Sequence, residues 1–189
     1  GSRGSTFTLS FIWRGKNRKN GWVKERIFRN YLELKSFKDF KEAKKPSDEY
    51  SVELADPKDF QLNKFFYKNI GKNCRWIDRL VWTELDWTKY VSDEKLFTYI
   101  LKNKEEIAGY FELLFNKDTK EAEVAYFGIL EEYFGRKLGG YLLSEAIKFS
   151  FKLGCERVWV HTCSLDHKNA LHNYLSRGMK IFKSETLIK

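Results

Sequence analysis

The chain has 189 residues, of which 42% are apolar, and a formal charge of +9. That length fits one domain of ordinary size. No run approaches 18 consecutive apolar residues, which excludes a membrane-spanning helix, and no basic-then-apolar opening predicts a secretory signal. Three cysteines, Cys74, Cys155 and Cys163, are odd in number and lack metal-site spacing, so a reducing cytoplasmic location is expected rather than a disulfide scaffold. The charge is unevenly placed. Residues 1–45 hold 13 Lys and Arg against 4 acidic residues, while residues 46–189 hold 22 of each. The excess therefore belongs to an N-terminal extension. It reads either as a solvated basic surface or as an arm for an acidic partner, nucleic acid or protein.

Thr6–Trp13 and Trp22–Leu34 have strand character, and Asn20-Gly21 between them is a hairpin signal. Residues 1–45 are thus expected to form a basic β extension, and residues 46–189 the main domain. Lys41–Ser47, with Pro46, reads as a linker and Tyr50–Ala55 as a strand. Pro57 precedes a helical pattern from Asp59 to Ile70 that is expected to stop at Gly71. Asn73–Tyr90 reads as a second, broken helical stretch. Leu96–Lys102 and Ile107–Phe115 are predicted strands joined by the charged turn 103–106, and Glu123–Ile129 is the next strand. A helix over Arg136–Leu153 ends at Gly154. A strand over Arg157–Cys163, a helix over Lys168–Ser176 and a strand over Lys180–Thr186 complete the order.

The stretch from Glu123 to Gly140 carries the most chemistry. It runs strand, short turn, then Gly135-Arg136-Lys137-Leu138-Gly139-Gly140 into a helix start. The first N–H groups of a helix lack internal partners and sit at the positive end of its dipole. Phosphate or pyrophosphate is the expected guest. The spacing matches neither the kinase-type P-loop nor the dinucleotide fingerprint. A tight turn before a core helix is the plainer alternative.

Further motifs follow: Arg157-Val158-Trp159-Val160-His161-Thr162, then His167-Lys168-Asn169-Ala170, then Tyr174-Leu175-Ser176-Arg177-Gly178-Met179. Together with the turn, this arrangement resembles the GNAT superfamily of acetyl-CoA-dependent N-acetyltransferases. The family pattern departs at four points: Phe134 replaces Arg or Gln, Lys137 replaces the first motif glycine, His167 replaces Asn, and Met179 replaces Phe. The resemblance implies an α/β fold with a mixed, mostly antiparallel twisted central sheet flanked by helices. It implies acetyl-CoA as cosubstrate and no metal. The cofactor residues it implies are Ile129, Leu130, Gly135, Arg136, Lys137, Leu138, Gly139, Gly140, His167, Asn169 and Tyr174. It also implies that the strand ending at Ile129 splays from the strand 157–163, with the pantetheine arm in the gap.

Acetyl transfer to an amine needs a base for the ammonium and an acid for the departing thiolate. Glu123 is the first candidate base, at the spacing from Phe134 that histone-type members of the family use. Strand alternation places Glu123, Ala125, Phe127 and Ile129 on one face. A solvent-facing Glu at a strand start is the plainer alternative. Glu112 is the rival, a carboxylate in an otherwise apolar strand, where it is costly unless paired. A structural pair with Arg75 or Arg79 is its bland alternative. The resemblance makes Tyr174 the acid. His161 is a further base or acceptor contact. His161 and Cys163 share a strand face but match no closed zinc motif, and a Cys163 nucleophile would imply a covalent acetyl-enzyme that the family does not normally use. Trp76, Trp82, Trp87 and Tyr90, interleaved with Arg75, Asp78, Arg79, Glu84 and Asp86, suit either an acceptor pocket for a small amine or core packing. The expected activity is direct acetyl transfer to a primary amine of a small molecule, with a peptide or protein amine as the second acceptor class. The alternatives are an acyl-CoA sensor without turnover and an interaction protein working through the basic arm.

Overall fold

The computed structural model describes the backbone of Arg14–Asn17, Gly21–Val23 and residues 27–187, and the side chains of 27–187. The strand expected over Thr6–Trp13 lies outside the described residues. Arg14–Asn17 (β1) pairs antiparallel with Gly21–Val23 (β2), consistent with the Asn20-Gly21 turn signal. Ile27–Leu34 (β3) does not continue that hairpin. It enters the central sheet, where its alternation buries Leu32 and Leu34.

The remaining strands are Tyr50–Leu54 (β4), Leu96–Asn103 (β5), Glu106–Asn116 (β6), Glu121–Ile129 (β7), Arg157–Cys163 (β8) and Lys180–Leu187 (β9). With β3 they form one seven-stranded sheet in the order β4-β5-β6-β7-β8-β3-β9. Every neighbouring pair is antiparallel except β7 and β8. A parallel pair needs a crossover, and the helix Leu138–Lys152 (α3) supplies it. The sheet is therefore mixed and mostly antiparallel, as expected. The N-terminal segment contributes an interior strand to it.

Helices cover both faces. Phe60–Cys74 (α1) begins at Asp59, whose side chain accepts from the Gln61 N–H at 2.9 Å. It runs one turn beyond the expected stop at Gly71. That glycine remains helical and lies against Trp76, where a Cβ would come within 2.8 Å of the Trp76 Cβ. The helix ends at Arg75 in left-handed backbone, φ 55°. Glu84–Val91 (α2) starts with a reciprocal Thr83–Asp86 capping box. On this face Phe66 of α1 stacks on Tyr110 of β6 at 4.6 Å. On the other face Tyr99 of β5 stacks on Phe111 at 4.9 Å and on Phe149 of α3 at 4.4 Å. Among the described residues no helix is long and apolar enough to cross a membrane.

The segment read as a linker is tied down. The Lys41 N–H donates to the Arg177 carbonyl at 3.0 Å, and the Ala43 N–H donates to Ser144 Oγ at 2.8 Å. Gly178 makes this possible. It has φ 95°, and a side chain there would collide with the Asp39 carbonyl.

Candidate active site

The β7–β8 pairing lasts only from Glu121, opposite Arg157, to Glu123, opposite Trp159. Beyond that point the strands unzip, as the sequence reading expected. A cavity of about 630 Å³ occupies the gap, lined by Val124–Ile129 on one side and by Val160, His161 and Cys163 on the other. Its lining also includes Gly135 and the start of α3, together with Arg29 and residues 74–78. Along this edge the backbone of Ala125–Ile129 has β6 on one side and the cavity on the other, so alternate N–H groups lack a strand partner there.

The α3 start is open. Gly135, Arg136 and Lys137 are exposed, and Gly139 and Gly140 are half-buried. Lys137 caps the helix in left-handed backbone, φ 60°, without a side-chain capping bond. It thereby adopts the conformation that glycine favours, although its side chain replaces the family's glycine. Gly135, Lys137, Leu138, Gly139 and Gly140 all line the cavity, as do Ile129, His167, Asn169 and Tyr174. Two expected contacts are absent from its walls. The Leu130 N–H donates to the Ala108 carbonyl at 2.8 Å and is therefore occupied. Arg136 turns away to the Tyr50 hydroxyl and the Glu132 carbonyl, both at 3.4 Å, and lies over the Tyr133 ring at 4.7 Å.

Arg177 was missed in sequence. It lines the same end of the cavity, with its Nε buried and unpartnered, and burial lowers its pKa. A Cβ on Gly140 would sit 2.8 Å from Arg177 Nη1, so the glycine lets the guanidinium lie on the first turn of α3. The available signal was its place directly before Gly178 in a motif already singled out. Phe134, which replaces the family's Arg or Gln, is exposed and meets the His167 ring edge-on at 5.9 Å.

Glu123 requires a correction. The β6–β7 register slips between Glu112, opposite Tyr126, and Leu113, opposite Val124. Ala125 is the extra residue of a β-bulge, and a bulge inverts the alternation beyond it. Glu123 therefore shares its face with Tyr126 and Gly128, not with Ala125, Phe127 and Ile129. This is the α1 side, where a Cβ on Gly128 would clash with Ile70. Glu123 is 6% exposed and its Oε1 has no hydrogen-bond partner. It sits beside the cavity, next to Val124, without lining it. Burial pushes its carboxyl up to about 7, against a smaller lowering by Arg79.

Glu112 is also corrected. It is fully buried and pairs with Arg79 at 3.2 Å. It also accepts from the Tyr90 hydroxyl at 2.6 Å and from Asn63 Nδ2 at 3.1 Å. Five rings surround Arg79 at 4.0 to 5.7 Å, those of Tyr67, Trp82, Trp87, Tyr90 and Tyr126. Burial alone would lower the Arg79 pKa, but the adjacent Glu112 raises it. Glu112 has no free lone pair directed at a substrate and holds the α1–α2 layer on the sheet. Most of the tryptophan-rich stretch therefore belongs to packing, and only Cys74–Asp78 reaches the cavity.

Tyr174, on Ala170–Ser176 (α4), is buried against the cavity. Burial drives its phenol well above the ordinary range, with Asp166 and Cys74 adding to the shift, so it keeps its proton at neutral pH. His161 faces the cavity beside Tyr31, ring centroids 5.8 Å apart. Burial, reinforced by Arg29, lowers its pKa to about 4, and the imidazole is neutral. Among the described residues no group of three or more His, Cys, Asp or Glu is placed to hold a metal.

An unzipped parallel pair opening onto a bare helix start leaves room for a phosphate-bearing ligand, and comparison with known proteins supplies the family. The profile of the Acetyltransferase (GNAT) family matches residues 60–179. The chain belongs to the GNAT acetyltransferase family. A GCN5-related N-acetyltransferase from Sphaerobacter thermophilus superposes with a TM-score of 0.64 at 11% identity, over 85% of this chain and 50% of its own. An aminoglycoside acetyltransferase from an uncultured soil metagenomic sample gives 0.59 at 14% identity, over 77% and 96%. The ribosomal-protein-S18-alanine N-acetyltransferase from Escherichia coli gives 0.54 at 16% identity, over 68% and 76%. At such identities the likeness is one of fold, and the GNAT chain described here spans about half the length of the first of these. The curated proteins contain no match to this GNAT chain.

Proposed function

We propose that the chain transfers the acetyl group of acetyl-CoA to a primary amine of a small molecule, by direct attack within a ternary complex. One observation carries this reading: a single cavity joins the unpaired edge of β7 to the open start of α3. The residues present fit the cofactor. The N–H groups of the first turn of α3 would hold the pyrophosphate. Lys137 and Arg177 add cations beside it, and the unpartnered Nε of Arg177 is a donor without a recipient. Bound acetyl-CoA would supply an activated thioester carbonyl.

The chain's own groups account for the rest. The gap-facing N–H groups of Phe127 and Ile129 stabilise charge developing on a carbonyl oxygen there. Glu123, poised near neutrality, takes the ammonium proton, through water because its carboxyl stands behind the cavity wall. Tyr174 holds a proton at Oη for the departing sulfur. Neutral His161, in the cavity wall, contacts the acceptor.

Calorimetric titration with acetyl-CoA, followed by a coenzyme A release assay over a panel of amines, tests the reading. Binding in the micromolar range and amine-dependent release are expected. No binding heat and no thermal shift would refute it; binding without release on any amine would leave an acyl-CoA sensor.

A further inference from the structure

The cavity wall contains a second arginine with no assigned role, contributed by β3 rather than by α3 or α4. This residue is Arg29. Its Nε is buried without a partner. Nη1 donates to the Tyr31 hydroxyl at 3.3 Å, and that hydroxyl donates to Glu185 Oε2 at 3.0 Å. Glu185 is in turn paired with Lys183 at 2.8 Å. The guanidinium is thus oriented by a hydrogen-bonded chain, yet no carboxylate lies within ion-pair distance of it among the described residues. On the neighbouring strand β8, Arg29 stands opposite Cys163, and Tyr31 stands opposite His161. The arginine is therefore one strand step from the imidazole that faces the gap, about 7 Å along the strand.

The anionic groups in and around this wall are committed elsewhere. Asp166 accepts from Thr162 Oγ1 at 2.6 Å and from the Cys163 N–H at 2.9 Å. Glu185 serves Lys183 and Tyr31, and Glu112 serves Arg79. Asp78, which also lines the cavity, is engaged as well, and Glu123 keeps a buried carboxylate oxygen without a partner. An acceptor with several ammonium groups would meet an unpaired guanidinium in the wall, with the Glu123 carboxylate within reach only through water. An acceptor with one ammonium and one anionic group would match both. The fork of an arginine suits a carboxylate in two-point contact.

Resting on the acetyltransferase reading, we infer that the acceptor is an amine that also carries an anionic oxygen group, with a carboxylate docking on Arg29 while the amine faces the unzipped edge of β7. The specificity determinant then comes from β3, outside the segment 60–179 that carries the family likeness. Tyr31 is its positioning residue.

The test uses the purified full chain and three acceptor sets: α-amino acids, their decarboxylated amines, and the polyamine spermidine, with phosphoethanolamine as a separate arm to distinguish phosphate from carboxylate. The expected result is a kcat/KM preference for the carboxylated member of each pair. Arg29→Gln should shrink that preference 10- to 100-fold, and Arg29→Glu should reverse it. Tyr31→Phe should shrink it a few-fold through KM. Acetyl-CoA affinity serves as the folding control. A preference for spermidine, or a carboxylate preference untouched by Arg29→Gln, overturns the inference while leaving acetyl transfer intact. If no amine is turned over, calorimetry with the amino acids decides: carboxylate-dependent heat lost in Arg29→Gln upholds the docking site and refutes the transfer reaction, and no heat refutes both. Preference for phosphoethanolamine over the amino acids would overturn the carboxylate assignment.

Discussion

Two parts of the cavity wall are built by different means. At the α3 end the proposed binding groups are mainly backbone, supplied by the stretch from Tyr133 to Gly140 with support from α4. In the other part the proposed groups are side chains gathered from β3, residues 74–78 and β8. Backbone N–H groups at a helix start recognise any phosphate and depend little on residue identity. A set of side chains recognises one pattern of charge. This contrast accounts for Phe134 and Lys137 replacing family residues while the open helix start persists, and under the proposed function it assigns specificity to the side-chain part.

Glu123 stands behind the cavity wall where the β7–β8 pairing ends, and removing its charge has the largest expected effect. Glu123→Gln should lower turnover by about 10²–10⁴ with acetyl-CoA affinity nearly unchanged. The wild-type rate should fall as pH drops below about 7, where the carboxyl takes up its proton, and the residual rate of the variant should lack that limb. Stability should move the opposite way. The folded carboxyl holds its proton up to about 7, above its ordinary 4.5, so the folded state binds more protons across that window. Wild-type stability therefore declines as pH rises from about 4.5 to about 7 and then levels off. Above pH 7 the Gln variant should melt higher, by up to roughly 3 kcal/mol at about 1.4 kcal/mol per pKa unit. A variant with full activity and an unchanged melting curve would return Glu123 to an inert wall position.

Tyr174→Phe should cost less, about 10- to 100-fold in turnover. A thiol titrates near 8.5, so thiolate leaves with little help, and the acid has less to contribute than the base. An unchanged rate would make Tyr174 a packing residue. At the α3 end, Arg177→Gln should raise the acetyl-CoA Kd about tenfold, the scale of one charge-assisted contact, and flatten its salt dependence. The rate at saturating cofactor should barely change. A loss confined to the rate would place Arg177 with the transfer machinery instead.

The same contrast governs what sequence could convey. The strand-turn-helix unit from Glu123 to Gly140 is contiguous, so periodicity and glycine placement reveal it. The unzipping of β7 from β8 followed from the family resemblance. The side-chain part was hidden because its residues are distant in the chain. Nothing local announces that Arg29 meets Cys163, since that pairing depends on β3 entering the sheet between β8 and β9. The faces of β7 were misread for a related reason: alternation is a local rule, whereas the bulge at Ala125 is set by register against β6. Glu112 was legible as a costly carboxylate, but only the packing of α1 and α2 reveals that Arg79, Tyr90 and Asn63 already satisfy it. Gly71 was read as a stop because glycine often follows a helix; its contact with Trp76 keeps it inside.

The smallest expected effect tests whether the α3 end works through backbone. Lys137 occupies left-handed backbone at φ 60°, ψ 29°, which costs a residue with a Cβ about 1–2 kcal/mol. Lys137→Gly removes that cost but adds freedom to the unfolded chain. The net gain should be up to about 1 kcal/mol, a rise of about 2–4 °C in melting temperature for a domain of this size. The substitution also removes a cation beside the helix start. If backbone N–H groups do most of the holding, the acetyl-CoA Kd should rise only two- to threefold, less than for Arg177→Gln. A tenfold loss would mean that this chain exchanged the family's glycine for a direct charge contact, and the α3 end would then recognise its ligand through side chains just as the other part does.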